Sequence, residues 1–441
     1  MVNSSQKTIG LDFILLFSLV FYFVIQENWI KLSSLFLAFM ALSGIVSYYF
    51  ISQSKIGDGK KHYIKLAIIL VLIVSLVLFS LVHQIILRRQ GADIHYTHDG
   101  AVQTEEASKF LAQGVDPYAA DYRNTPFGHF IDTYSGGERE NPAWTHYVYL
   151  PFLPVFSLPF QAVIKQIAGF FDQRMVYGLL FMASLFFIYK LPEEKDKKLI
   201  GLIIFAFNPI FARHLVHGFN DIFVFFWLIF SLYLLKQKKY YWSAGMLALA
   251  CVSKQSAWLI LPFYFFYLYF AENPMKAFLD KIRGIFKKLI PFFLLAAAIF
   301  TPFLIWGFDD FIDDIYRYPA GSIASNFPAI GYGFSRLFYL AGFMPSPWSY
   351  FPFWIFQAFF GLPLFYFLIK KQMKNNNLSA LFINYGLFLL VFWFFSRFFN
   401  DNYISYLSLI FLAGYLVEEK MTHNEAEKTD KTVLNNNKVG L

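Results

Sequence analysis

Residues 64–87 read IKLAIILVLIVSLVLFSLVHQIIL, and residues 91–100 read GADIHYTHDG. The first stretch is an apolar run longer than the ~20 residues that cross ~30 Å of hydrocarbon as helix. The second places two aspartates, Asp93 and Asp99, and two histidines, His95 and His98, in a short polar loop. The junction between them sets the frame for the whole chain, with membrane on one side and a long polar loop on the other.

Composition extends the reading outward. Hydrophobic residues make up 57% of the 441 residues and charged ones 15%, which is too apolar for a soluble protein. Apolar runs recur at 10–26, 30–51 and 64–87, then at 174–190, 198–213, 217–235, 241–253, 255–271, 289–306, 348–370, 378–396 and 401–417. The expected fold is an all-α polytopic membrane protein of about 11–13 transmembrane helices. Its first external loop is long and carries short interfacial helices. One such helix is expected after Gly100, with Val102, Ala107, Phe110 and Leu111 at helical spacing and Gly114 as its stop.

Basic residues set the orientation, because cytoplasmic loops collect Lys and Arg. Lys55, Lys60, Lys61 and Lys65 mark one such loop, Lys276 to Lys288 another, and Lys370, Lys371 and Lys374 a third. The net charge of +8 lies in these short loops, so it reports topology, and no nucleic-acid partner is expected. The loop at 88–146 then falls outside, and its nine acidic against five basic residues agree. Pro151, Pro154 and Pro159 argue against a regular helix in Tyr147–Gln161, since each removes a backbone donor. Residues 147–168 therefore read as interfacial or re-entrant. Segments 241–253 and 255–271 are each short for a crossing and read as half-helices meeting at Ser253–Ser256. The chain divides into an N-terminal transmembrane hairpin (1–63), a main module (64–417) with external loops 88–146 and 307–347, and a cytoplasmic tail (418–441) expected to be disordered. No cleavable signal is visible. The single cysteine, Cys251, excludes an intramolecular disulfide and reads as a buried small hydrophobe.

Polar residues at span ends are costly unless they line a cavity, and here they gather on the outer side. The set comprises Asp93, His95, His98, Asp99, His217, Asn220, Asp221, Asp309, Asp310, Asp313, Asp314, Arg317, Arg336, Arg397, Asn400, Asp401 and Tyr403, with Lys254 near the same depth. Carboxylates that handle protons, mixed with cations that hold an anion, point to a phosphorylated, lipid-borne substrate. Plainer readings stand beside this one. Asp99 before Gly100 also fits a helix cap. The four aspartates from Asp309 to Asp314 fit a solvated helix face, and His217 and Asp221, four residues apart, fit a mutual pair.

The order of several short motifs resembles the C-type superfamily of integral-membrane glycosyltransferases, which take a sugar from a polyprenyl phosphate. The motifs are an external loop with Asp99 and a short helix, then Gly114-Val-Asp-Pro-Tyr118, Tyr149-Leu-Pro151, Asn208-Pro209, His217-Gly-Phe-Asn-Asp221, and Lys254 before Pro262. Polyprenyl-phosphate-mannose-dependent enzymes are the nearest in pattern, over roughly residues 64–417. The resemblance implies that Asp99 is the catalytic base, with Asp93 as its runner-up. It implies donor-phosphate contacts from Lys254, Arg397, Arg336 and His217, and substrate contacts from Asn220, Asp221, Tyr118, Asp310, Arg317 and Tyr403. Family members often pair two acids in the first loop, and this chain has His98-Asp99 instead, so no metal ligand is assigned and no cofactor is expected, although a divalent metal stays open. The implied partners are the polyprenyl-phosphate sugar, membrane lipids and a lipid or glycan acceptor. The implied setting is a prokaryotic plasma membrane with the active face outside.

The chemistry suits those residue types. A phosphate leaving group is already activated, so one base for the acceptor hydroxyl and cations for the growing phosphate charge are sufficient. An aspartate of reference pKa ~3.9 is ionised at neutral pH. A lipid or sugar transporter or flippase is the competing reading, since intramembrane charges also mark transport paths. A loop of this length without internal repeats favours the enzyme over a transporter. A membrane scaffold without chemistry leaves the one-sided polar clustering unexplained.

Overall fold

A computed structural model describes residues 9–26, 32–131 and 140–419. α1 (Leu11–Gln26) and α2 (Leu32–Gln53) lie side by side, and α3 (Asp58–Leu72) runs through a π turn at 73–78 into α4 (Phe79–Arg89). The first loop carries α5 (Asp99–Ala112). Next come α6 (Phe152–Ala168), α7 (Gln173–Lys190), α8 (Lys195–Phe207), α9 (Pro209–His217), α10 (Asp221–Lys236) and α11 (Tyr240–Cys251). α12 (Leu261–Ala271) and α13 (Phe278–Trp306) lead to a second loop region with α14 (Phe308–Ile312), α15 (Tyr318–Ala320) and α16 (Phe334–Leu340). α17 (Trp354–Lys374), α18 (Leu378–Phe394) and α19 (Asp401–Leu416) close the bundle. β1 (Ile330–Gly331) and β2 (Phe398–Phe399), the strands among the described residues, pair in parallel and tie the second loop region to the start of α19.

Three of these helical stretches are long and apolar enough to cross a membrane: Ser34–Gln53, Asp58–Arg89 and Phe278–Trp306. Two bent pairs pass the same test together, α6 with α7 at 111° and α8 with α9 at 50°. α13 makes the lipid case plainest. Its 29 residues reach about 43 Å at 1.5 Å per residue, and only 11% of its apolar window is buried. The chain thus has several apolar helices that fit a membrane protein. The larger number of crossings expected from the sequence rests on helices that fall short of that length or apolarity among the described residues. The polar tail beyond Glu419 lies outside the described residues.

Two expectations need revision. Residues 152–168 form a regular helix despite their prolines. Pro151 sits at the N-cap and Pro154 in the first turn, where amides have no intrahelical acceptor to lose, so only Pro159 interrupts the ladder. Of the 309–314 aspartates, Asp309 and Asp310 are exposed and Asp313 is half-buried, whereas Asp314, in the π turn at 313–317, is buried. The helix break near Lys254 is present as read, with α11 ending at Cys251 and a 3-10 turn at 255–260 before α12.

The first loop builds a core of its own above the bundle. Val102, Ala107, Tyr118, Tyr122, Phe127 and Tyr147 pack together and against Phe303 near the end of α13 and Phe311 in α14. α5 begins at Asp99, one residue earlier than the sequence placed it, and stops at Gly114, whose φ of +71° only glycine adopts without strain. Val102 and Ala107 are buried as expected, but so are Glu105 and Glu106. Glu105 belongs to an ionic clasp. Arg88 grips both Glu105 oxygens at 2.8 Å and Asp172 at 3.0 Å, while Arg174 holds Asp172 at 2.9 and 2.8 Å. The Gln173 amide also donates to Glu105 at 2.7 Å. Two cations and two carboxylates balance, and together they fasten α5 to α4 and to the turn before α7.

Candidate functional site

The first turn of α5 is arranged around His98, which is the N-cap; the expected cap, Asp99, is the residue after it. His98 Nδ1 accepts the Gly100 amide at 3.1 Å, and Asp99 Oδ1 accepts the same amide at 2.6 Å. A side chain at position 100 has no room, because the Tyr149 hydroxyl occupies that space. The His98 amide donates to the His217 carbonyl at 2.7 Å, which docks the loop on the α9–α10 turn. Its ring lies 3.7 Å from that of Phe219, which also stacks on His214 at 4.1 Å. His214 Nε2 in turn faces Asp401 Oδ2 at 3.4 Å.

Lys254 comes to the same place because the chain breaks there. Between α11 and the 3-10 turn its backbone is extended, with φ −158°. Its Nζ donates to Asp221 Oδ1 at 2.8 Å and to Asn220 Oδ1 at 3.2 Å, and lies 5.8 Å above the Tyr403 ring. Asn402 Nδ2 donates to the other Asp221 oxygen at 3.3 Å. Asp221 is buried at the first residue of α10, where the helix dipole favours a carboxylate. Tyr403 stacks on Trp393 at 4.4 Å.

His98 is where these groups meet. Burial pushes its imidazole below the usual histidine range, and the charges of Asp99, Asp221 and Lys254 all act on it. Tyr149, raised by burial, feels both Asp99 and Asp221. Asp99, Lys254, Asp221, Asn220 and Tyr403 thus share one neighbourhood, joined by His98, His214, Tyr149 and Asn402. The Asp99 side chain is 48% exposed, while Lys254 and Asp221 lie inside. An accessible carboxylate and a recessed cation on adjoining turns could accept a proton and hold an anion respectively.

Of the other expected site residues, His217 borders the neighbourhood through its carbonyl and the rest lie elsewhere. Asp93 takes the His95 amide at 2.9 Å and the His95 ring at 2.6 Å, which closes its own turn and holds its carboxyl low. His217 turns its Nδ1 to the Tyr96 carbonyl at 3.1 Å and does not pair with Asp221. Tyr118 is buried, its hydroxyl donating to the Tyr149 carbonyl at 2.8 Å. Arg317 pairs with Asp313 at 2.5 Å, and Asp310 is exposed on α14. Arg336 is exposed on α16. Arg397 is buried and fully engaged with neutral partners, the carbonyls of Phe327, Pro347 and Ser349 and the side chain of Asn326, at 2.6–3.2 Å. Burial among them brings its guanidinium down to about 10. It holds the 321–349 loop together and is not free for a phosphate.

Asp314, which the sequence grouped with its neighbours, stands apart from them. Its two oxygens accept the His146 Nδ1 and the Tyr147 amide, each at 2.6 Å. Burial pushes its carboxyl up to about 7, against the pull of those two bonds. Among the described residues, no three or more His, Cys, Asp or Glu side chains are grouped to hold a metal ion. Compared with protein-family models, with curated proteins and with solved structures, the chain has no match.

Proposed function

We propose that this chain is a membrane glycosyltransferase that moves a hexose, mannose being favoured, from a polyprenyl-phosphate donor to a lipid or glycan acceptor on the non-cytoplasmic face. One observation carries the reading: Asp99 lies 3.3 Å from His98 Nδ1, and the His98 amide bonds the turn that leads into Asn220 and Asp221, the residues that hold Lys254. In the reaction the acceptor hydroxyl gives its proton to Asp99 as its oxygen attacks the sugar anomeric carbon. The bond from that carbon to the phosphate oxygen breaks, its electron pair stays on the phosphate, and the configuration inverts. The departing polyprenyl phosphate gains charge, and Lys254, a point cation that Asp221 and Asn220 hold, is the group proposed to meet it. Tyr403 and Asn402 border that position. Asp93, Arg397, Arg336 and Tyr118 have no part in this proposal. The apolar helices leave lipid-facing surface for the polyprenyl chain, and a prokaryotic plasma membrane remains the proposed setting.

The test is transfer of labelled hexose from polyprenyl phosphate in liposomes containing the purified protein; label in the acceptor supports the reading. A second reading, a lipid or sugar transporter, draws on the charged break between α11 and α12, a device transporters use. Counterflow of labelled lipid without any transfer in the same liposomes favours it.

A further inference from the structure

From Tyr318 to Phe353 the sequence holds a single charged side chain, Arg336, whereas the loop at 88–146 holds fourteen. Both regions lie outside the long apolar helices, so the contrast marks two environments. The 321–353 segment has a small core of its own, in which Ala329, Met344 and Phe353 pack with Phe334, Phe338 and Phe351. α16 turns its two phenylalanines into that core and leaves Leu337 and Leu340 outside. Leu340, Phe343 and Tyr332 are 65%, 68% and 69% exposed. These are not the tips of a loose loop. Arg397 clasps the segment through four acceptors, and β1 pairs with β2 beneath it. Soluble surfaces rarely gather so many apolar side chains without charge between them.

The segment is also continuous with a surface that already faces away from protein. Phe356 in the first turn of α17 packs against Phe334 and Phe351, and α17 goes on to expose Phe359, Leu362 and Phe367. Tyr350 and Trp354 stand exposed at the junction, the residue types that gather where hydrocarbon meets headgroups. We propose that segment 321–353 is seated in the headgroup layer of the membrane. Leu337, Leu340 and Phe343 enter the acyl boundary, about 5–10 Å deep, and Arg336 lies among lipid phosphates. This inference does not depend on the transfer reaction, and either can fail without the other.

The single native cysteine is buried, so introduced cysteines report cleanly. Leu340→Cys, Phe343→Cys and Tyr332→Cys are labelled with an environment-sensitive fluorophore in the full chain, in nanodiscs of phosphatidylethanolamine and phosphatidylglycerol. Glu140→Cys, a highly exposed position in the first loop, is the aqueous reference. Expected are strong quenching by a lipid carrying a shallow doxyl group and iodide quenching several-fold weaker than at position 140. Iodide quenching equal to that at position 140 overturns the proposal. Protection from both quenchers also overturns it, since protein, including a second copy of this chain, would then cover the surface. Three separate positions keep the test decisive if one variant misfolds.

Discussion

Replacing Arg88 by methionine leaves two buried carboxylates, Glu105 and Asp172, facing one guanidinium. Asp172 keeps both bonds from Arg174, whereas Glu105 keeps only the Gln173 amide at 2.7 Å and loses two bonds of 2.8 Å. Removing one partner of a buried ion pair costs about 3–5 kcal/mol, and the pair that Asp172 retains puts this case near 3 kcal/mol. The double variant Arg88→Met with Glu105→Gln leaves a balanced Asp172–Arg174 pair and should recover about 2 kcal/mol of that loss. The assay is reversible unfolding by SDS in bicelles, from pH 5 to pH 8. Burial already raises the Glu105 carboxyl above its ordinary value, with the Arg88 charge opposing it. Without Arg88 it rises further, so folding takes up a proton. That stabilisation is complete below the ordinary glutamate range and lost as pH climbs through the folded value. The Arg88→Met deficit should therefore be full at pH 8 and smaller at pH 5. A deficit independent of pH, or a double variant no more stable than the single, refutes the clasp as the anchor of α5.

Asp314, raised to about 7 by burial, likewise takes up a proton on folding. Its contribution falls by about 2–3 kcal/mol as pH climbs from 5 through the folded value to 8, and Asp314→Asn should flatten that part of the unfolding profile. Arg397→Lys cannot reach all four acceptors with a single ammonium; it should cost about 2–3 kcal/mol and speed trypsin cleavage after Arg336 several-fold, and unchanged cleavage would contradict the clasp. Lys254→Met should weaken binding of polyprenyl phosphate at least about tenfold while Lys254→Arg keeps part of it, as titration of the lipid into protein in nanodiscs will read.

The sequence made local features legible. The helical spacing after Gly100, the stop at Gly114 and the break beside Lys254 all depend on neighbouring residues, and each is present. The pairing of Lys254 with Asp221 joins positions 33 apart; the sequence put both on one side but offered His217, four residues away, as the partner of Asp221. The clasp stayed hidden because Arg88 and Asp172 lie 84 residues apart; Glu105 within an amphipathic helix reads as surface until its partner is placed. Asp314 was read with three solvated neighbours because its partners, His146 and the Tyr147 amide, lie 168 and 167 residues away. Arg397 looked like a phosphate ligand by type, and only its three backbone carbonyl partners, invisible in any pattern of side chains, give it a different task. His98 caps α5 and docks the first loop through its amide on the His217 carbonyl and its ring against Phe219, contacts between positions about 120 apart that no spacing rule reports.

The most direct test of the central claim is the rate of sugar transfer by Asp99→Asn in liposomes given polyprenyl-phosphate hexose. The asparagine carbonyl still accepts the Gly100 amide, so α5 stays capped and only the proton acceptor is lost. Expected is a fall of about 10²–10⁴-fold with donor binding and SDS unfolding unchanged. Transfer at the unaltered rate would contradict it and leave Asp99 as part of the helix start alone.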